Sequence, residues 1–206
     1  MPNTATFHTV LPNALRMLRD AGAALALGAL LVAVSVPTAA PARELDVPYV
    51  PTPQAVVDKM LELAELKSGE VLLDLGSGDG RIPITAAKKY GVQATGVDLN
   101  PVRVTEANEN AKRERVTDKV TFKEQDLFET DLTQADVITM YLLTRINMKL
   151  RPQLMKLKPG TRIVSHSFSM GDWTPDKTVR IDGRDVYLWI VKENAAQDAS
   201  RRTANQ

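Results

Sequence analysis

The sequence predicts one α/β domain, a mostly parallel open sheet with helices on both faces, closed by an antiparallel C-terminal hairpin. Three observations predict it. Short apolar runs of strand length alternate with segments of helical spacing from Glu70 to Phe168, the pattern of successive right-handed βαβ units. The alternation then stops, and two strand-like runs, Thr178–Ile181 and Arg184–Val191, flank Asp182-Gly183, the strongest short hairpin signal. A length of 206 residues with 44 % hydrophobic content suits a single domain.

The elements follow in order. After the Pro-rich lead Pro48–Pro53, the residues Val56, Val57, Met60, Leu61, Leu63, Ala64 and Leu66 recur at helical spacing, which predicts a helix over Gln54–Leu66. The run Glu70–Leu75 is a buried strand entering the glycine turn Gly76–Gly80. A helix over Arg81–Tyr90 tolerates Pro83 in its first turn and stops at Gly91. Val92–Asp98 is the second strand, and Asn100-Pro101 caps a helix reaching about Arg115. Val120–Glu124, Ala135–Tyr141 and Thr161–Phe168 supply three more strands, separated by helical or loop stretches such as Thr144–Leu157. The tail 193–206, poor in large apolar residues, is expected to be flexible.

Composition narrows the chemistry. There is no Cys and there are two His, so thiol nucleophiles, thiolate-bound zinc and iron–sulfur clusters are excluded, and no metal site is predicted. Residues 1–42 carry Arg16, Arg19 and Asp20, which leaves 24 basic and 24 acidic side chains beyond them. A domain of zero net charge has no general electrostatic grip on a phosphate backbone, so no nucleic-acid partner is expected.

The N-terminal segment has the form of a targeting signal. Arg16 and Arg19 precede the apolar run Ala21–Val36, and Ala40-Pro41-Ala42 offers a small-x-small cleavage pattern. Cleavage after Ala42 would export residues 43–192 as the domain, to the periplasm. The other reading is an uncleaved anchor, with membrane contact through residues 15–36; as a helix the run Ala21–Val36 would rise about 24 Å, short of a hydrocarbon core of roughly 30 Å.

In an open parallel sheet, ligands sit beyond the carboxyl ends of the strands at the switch in strand order. Gly76, Ser77, Gly78 and Asp79 form the turn that falls there, where glycines let backbone approach a ligand and the next helix offers free N–H groups. Asp98 ends the second strand, 22 positions after Gly76, where a carboxylate can accept both ribose hydroxyls. Asp126 follows the third strand at the same edge. A dinucleotide site wants G-x-G-x-x-G, but the third glycine position is Arg81, whose bulk opposes tight helix–strand packing. Asp74 and Asp79 would repel a diphosphate yet suit a ligand bearing an ammonium and a sulfonium. S-adenosylmethionine is the cofactor that fits, its amino-acid end at Asp74 and the loop backbone, its ribose at Asp98 and its adenine near Asp126.

VLLDLGSGDGRI, GVDLN and KEQDLF, spread over residues 70–128, resemble the class I S-adenosylmethionine-dependent methyltransferases. YVPTP at Tyr49–Pro53, YLL with NMKLRPQL over Tyr141–Leu154, and LKPGTRIVSHSFSMGDW over Leu157–Trp173 make the chain similar to the ATP synthase c-subunit lysine N-methyltransferase family and its bacterial relatives, over about residues 48–192. That resemblance implies a Rossmann-like, seven-stranded sheet with a reversed last strand, and a protein substrate, which the leader would allow to be a membrane protein; a monomer is expected. It also implies that Tyr49 and Thr52 fold over the cofactor, against which stands a Pro-rich linker crossing the surface.

Elimination favours an amine acceptor. Methylating carbon 5 of a pyrimidine uses a Cys nucleophile, and the Asn/Asp-Pro-Pro-aromatic motif that holds a nucleobase amine is replaced by Thr139-Met140-Tyr141-Leu142. Tyr141, at the edge of the fourth strand, is the candidate catalytic residue through its hydroxyl and ring face; packing by an aromatic at a strand end is the competing reading. His166 reads as a core histidine rather than a base, Asn147 as an acceptor-orienting residue or a cap, and Trp173 as packing. The expected activity is methyl transfer to a protein lysine, with a catalytically inactive cofactor-binding module or a small-molecule methyltransferase as alternatives.

Overall fold

The computed structural model describes residues 49–193. The leader in residues 1–42 and the tail beyond Glu193 lie outside the described residues. Seven strands form one sheet in the order β3-β2-β1-β4-β5-β7-β6: β1 (Val71–Leu75), β2 (Gln93–Asp98), β3 (Val120–Glu124), β4 (Val137–Met140), β5 (Arg162–His166), β6 (Lys177–Ile181) and β7 (Arg184–Ile190). The first five run parallel; β7 lies antiparallel between β5 and β6. The order turns back between β1 and β4, which opens a crevice at their carboxyl ends.

Alternation along β1 sends its side chains to two cores. Leu72 packs on one face with α1 (Gln54–Leu63), α2 (Arg81–Tyr90) and α3 (Pro101–Glu114), whereas Leu73 and Leu75 pack on the other with α4 (Thr144–Leu154) and Trp189. The helices start and stop for local reasons. The Asn100 side chain accepts from Val102 N at 2.9 Å ahead of Pro101 in α3, and Gly91 closes α2 in the left-handed conformation at φ 71°. Asp182 and Gly183 both take positive φ, 49° and 76°, the twist a two-residue hairpin turn requires.

Several boundaries differ from the periodicity. α1 ends at Leu63 rather than Leu66, because Glu65 turns left-handed at φ 48° and Arg162 donates from Nη1 to the carbonyls of Ala64 and Glu65. Ala64 and Leu66 stay buried beyond the helix, which is why the apolar pattern overruns it. β4 starts at Val137 rather than Ala135, since Ala135 N closes a turn onto Leu132 O. β5 stops at His166 rather than Phe168, because Ser167 reverses the chain at φ 60°. α4 stops at Leu154, and Tyr141 lies just past β4 rather than within it.

Candidate active site

The crevice at the ends of β1 and β4 is a cleft open to solvent. Its floor is the glycine turn. Gly76 and Ser77 donate their N–H groups to the Val97 carbonyl at 2.9 and 3.0 Å, and Gly78 N donates to Asp98 Oδ2 at 2.9 Å. Glycine is required at Gly78, where φ is 53° and a Cβ would stand 2.5 Å from the Tyr49 ring, and at Gly80, where φ is 79° and a Cβ would meet Phe122 at 2.5 Å.

The structure brings the four sequence-predicted acids to this cleft and gives them different states. Asp74, on β1 between Gly96 and Thr139, is 2 % exposed and accepts from Thr139 Oγ1 at 2.7 Å. Burial pushes its carboxyl up to about 7, against the pull of the Thr139 hydrogen bond and with help from the charges of Asp98 and Asp79. Asp98 accepts from Gly78 N on one oxygen and from Asn100 N on the other, each at 2.9 Å. Both oxygens keep a lone pair, so the group can still accept from a diol. Asp126 accepts from Phe128 N at 2.9 Å and caps the 3-10 turn Leu127–Glu129.

Asp79 corrects the electrostatic expectation. Burial pushes its carboxyl up, but the Arg81 guanidinium, donating from Nε at 2.9 Å and Nη2 at 2.6 Å, outweighs this and holds it below the usual carboxylate range. Its charge is met inside the loop rather than offered to a ligand. The preference for a cation therefore falls to Asp98 and Asp74.

Tyr49 and Thr52 line the cleft. The Tyr49 ring lies under the Arg103 guanidinium at 4.6 Å, and burial followed by the Asp79 charge raises its hydroxyl above the usual value. Thr52 is buried; its carbonyl accepts from Arg81 Nη1 at 2.7 Å, and its Oγ1 lies 3.2 Å from His166 Nδ1. Tyr141 lines the cleft and stacks on His166 with ring centroids 3.8 Å apart, and on Phe168 at 5.9 Å. The loop that carries Phe168 is tied to α4 by Asn147 Nδ2, which donates to the Phe168 carbonyl at 3.0 Å. Trp173 packs against Trp189 and accepts its Nε1–H at 2.7 Å, so it holds the hairpin and is not part of the cleft.

Sequence reasoning missed Arg81, Arg103 and Thr139 as site residues; its reading of His166 as a core histidine agrees with the full burial of that side chain. Thr139 carries a signal, as the polar residue in the otherwise apolar strand Val137-Ile138-Thr139-Met140. Arg81 stands out in the sequence only as the missing third glycine.

The donor set fits S-adenosylmethionine. Ser77 Oγ is buried in the cleft wall without a hydrogen-bond partner among the described residues, the mark of a polar atom awaiting a ligand. Asp98 stands where a ribose diol would donate, and Asp74 is an anion-forming group at the base of the turn.

Comparison with known proteins agrees. The ANTKMT methyltransferase domain matches residues 74–177. The chain is similar to a protein-lysine N-methyltransferase of Saccharolobus islandicus, 44 % identical over 154 residues that cover 72 % of this chain and 96 % of that protein. It is also similar to the ATP synthase c-subunit lysine N-methyltransferase of Rattus norvegicus, 33 % identical, covering 82 % and 78 % of the two chains. Among solved structures it is similar to one described as an RNA methyltransferase from Salinibacter ruber in complex with S-adenosyl-L-homocysteine, 51 % identical with a TM-score of 0.69, covering 70 % of this chain and 95 % of that one. The chain belongs to the ANTKMT methyltransferase domain family and is an S-adenosylmethionine-dependent methyltransferase.

Proposed function

We propose that the enzyme N-methylates the side chain of a lysine in a protein, acting as a monomer. The observation that carries this reading is the aromatic wall beside the cofactor cleft, with Tyr141 at the end of β4 stacked on both His166 and Phe168. The names of the relatives from Saccharolobus islandicus and Rattus norvegicus, both lysine N-methyltransferases, support it.

The bound cofactor supplies an electrophilic methyl group on a sulfonium. The chain's own residues supply binding and orientation. Asp98 accepts from the ribose, Ser77 and the turn backbone hold the amino-acid end, and Asp74 compensates positive charge when ionised. A free lysine has a pKa of about 10.4, so having its amine neutral at pH 7 costs roughly 4.6 kcal/mol. The rings of Tyr141 and Phe168 exclude water around the amine and favour its neutral form, while the proton passes to water at the open mouth. Tyr141 Oη then orients the nitrogen lone pair along the line of displacement.

One observation favours a second acceptor, the description of the Salinibacter ruber structure as an RNA methyltransferase. The balanced charge beyond residue 42 speaks against it. Intact-mass analysis of proteins from native cells with and without the gene tests the first reading: protein masses displaced by multiples of a methyl group support it, and unchanged protein masses beside altered RNA nucleosides support the second.

From the apolar leader we infer that the domain is either exported after cleavage at Ala42 or held at a membrane by an uncleaved anchor, beside a membrane protein substrate. Cytosolic supply of the cofactor favours the anchor. N-terminal sequencing of the protein from its native cell tests this: a start at Met1 supports anchorage, and a start at Arg43 supports export.

A further inference from the structure

We propose that residues 49–52, which line the cleft, act as a lid over the cofactor, and that His166 is a positioning residue that couples closure of this lid to assembly of the acceptor wall. His166 is fully buried at the carboxyl end of β5, and it touches both parts of the machinery without lining the cleft. Its Nδ1 lies 3.2 Å from the hydroxyl of Thr52 in the lid, 114 residues away in the chain. Its ring stacks on Tyr141 at 3.8 Å. Nε2 is buried with no hydrogen-bond partner, so the Thr52 contact is the imidazole's one polar anchor among the described residues.

A buried polar side chain with a single partner is costly unless that partner is in place. Lid opening withdraws the Thr52 hydroxyl and leaves both imidazole nitrogens unpaired, so the histidine itself favours the closed lid. Burial, with a smaller contribution from Arg184, pushes the imidazole down to about 4, so the contact is a neutral hydrogen bond at physiological pH. The same ring fixes the plane of Tyr141, and the closed lid and the ordered wall are therefore one state. Arg81 holds the lid from the other side through the Thr52 carbonyl. The inference rests on cofactor binding and is independent of which acceptor is methylated.

The test is a double-mutant cycle on the full chain, with S-adenosylmethionine affinity read by calorimetry and turnover read at saturating cofactor. Thr52→Val and His166→Phe are each expected to weaken cofactor binding about 3- to 10-fold, the range of one buried hydrogen bond. Thr52→Ser, which keeps the hydroxyl, restores the affinity. The double variant loses no more than either single one, because both remove the same contact. At saturating cofactor, His166→Leu lowers kcat more than His166→Phe, which keeps a stacking ring. Unchanged affinity in Thr52→Val, or losses that multiply in the double variant, overturns the proposal. Should His166→Phe fail to fold, the Val and Ser variants at Thr52 decide it alone: equal affinities overturn it.

Discussion

Arg81 donates from Nη1 to the Thr52 carbonyl at 2.7 Å while its Nε and Nη2 grip Asp79 at 2.9 and 2.6 Å. One side chain thus joins the glycine turn to the lid, at the position where a dinucleotide-binding loop would place its third glycine. Arg81→Gln is expected to raise the S-adenosylmethionine dissociation constant about 10-fold, since a charge-assisted hydrogen bond contributes about 1.5–3 kcal/mol and part of that is recovered by the amide. The unfolding midpoint should move little, because the ion pair is partly exposed. Calorimetry and urea unfolding on the same samples check both halves.

Asp74 gives the apo-protein a pH signature. Its folded-state carboxyl, up at about 7, binds a proton more tightly than the ordinary carboxyl at 3.8. Its contribution to stability is therefore full at low pH and is lost as pH rises towards 7. His166, down at about 4 from 6.5, has the opposite sign and adds stability as pH rises from 4 to 6.5. Asp74→Asn keeps an oxygen for Thr139 and removes the first effect only. Urea unfolding should show the variant more stable than the parent at pH 8 by on the order of 2–4 kcal/mol, and about equal to it at pH 4. Its cofactor affinity at pH 8 should fall, since the anion facing the cation is gone.

Gly80→Ala tests the packing under the turn. The new Cβ would stand 2.5 Å from Phe122 and 2.9 Å from Ala107 Cβ, on a backbone held at φ 79°. Overpacking and left-handed strain together should cost about 2–4 kcal/mol. A urea midpoint unchanged from the parent would show that α2 can shift to make room.

Tyr141 separates ring from hydroxyl. Tyr141→Phe keeps the stack on His166 and Phe168 and removes Oη; its kcat should drop about 10-fold with cofactor affinity unchanged. Tyr141→Ala also opens the wall to water, and its kcat should drop about 100-fold. Single-turnover rates at saturating cofactor check both.

Much of this architecture is legible in the sequence because period and punctuation agree. Leu72 against Leu73 and Leu75 carries the strand's two faces, and Asp182-Gly183 carries both positive φ angles of the hairpin. The ends of α1 and β5 are not legible, since Glu65 at φ 48° and Ser167 at φ 60° adopt left-handed backbone that neither residue type advertises. The acids at the cleft can be placed because strand ends fix their position. Asp79 cannot be assigned its partner, because a carboxylate two residues before an arginine faces it only in this turn. The contact between Thr52 and His166 depends on β5 lying next to β4 and on α1 crossing above the sheet, an outcome of topology that no local pattern encodes.

The central claim, methyl transfer to a protein lysine, is tested most directly by incubating the purified full chain with methyl-tritiated S-adenosylmethionine and membranes from native cells lacking the gene, then hydrolysing the product to its monomers. The label is predicted to elute with methylated lysines and to be lost with Asp98→Asn. Label eluting with methylated nucleosides, or none transferred by a chain that binds the cofactor, would contradict the account.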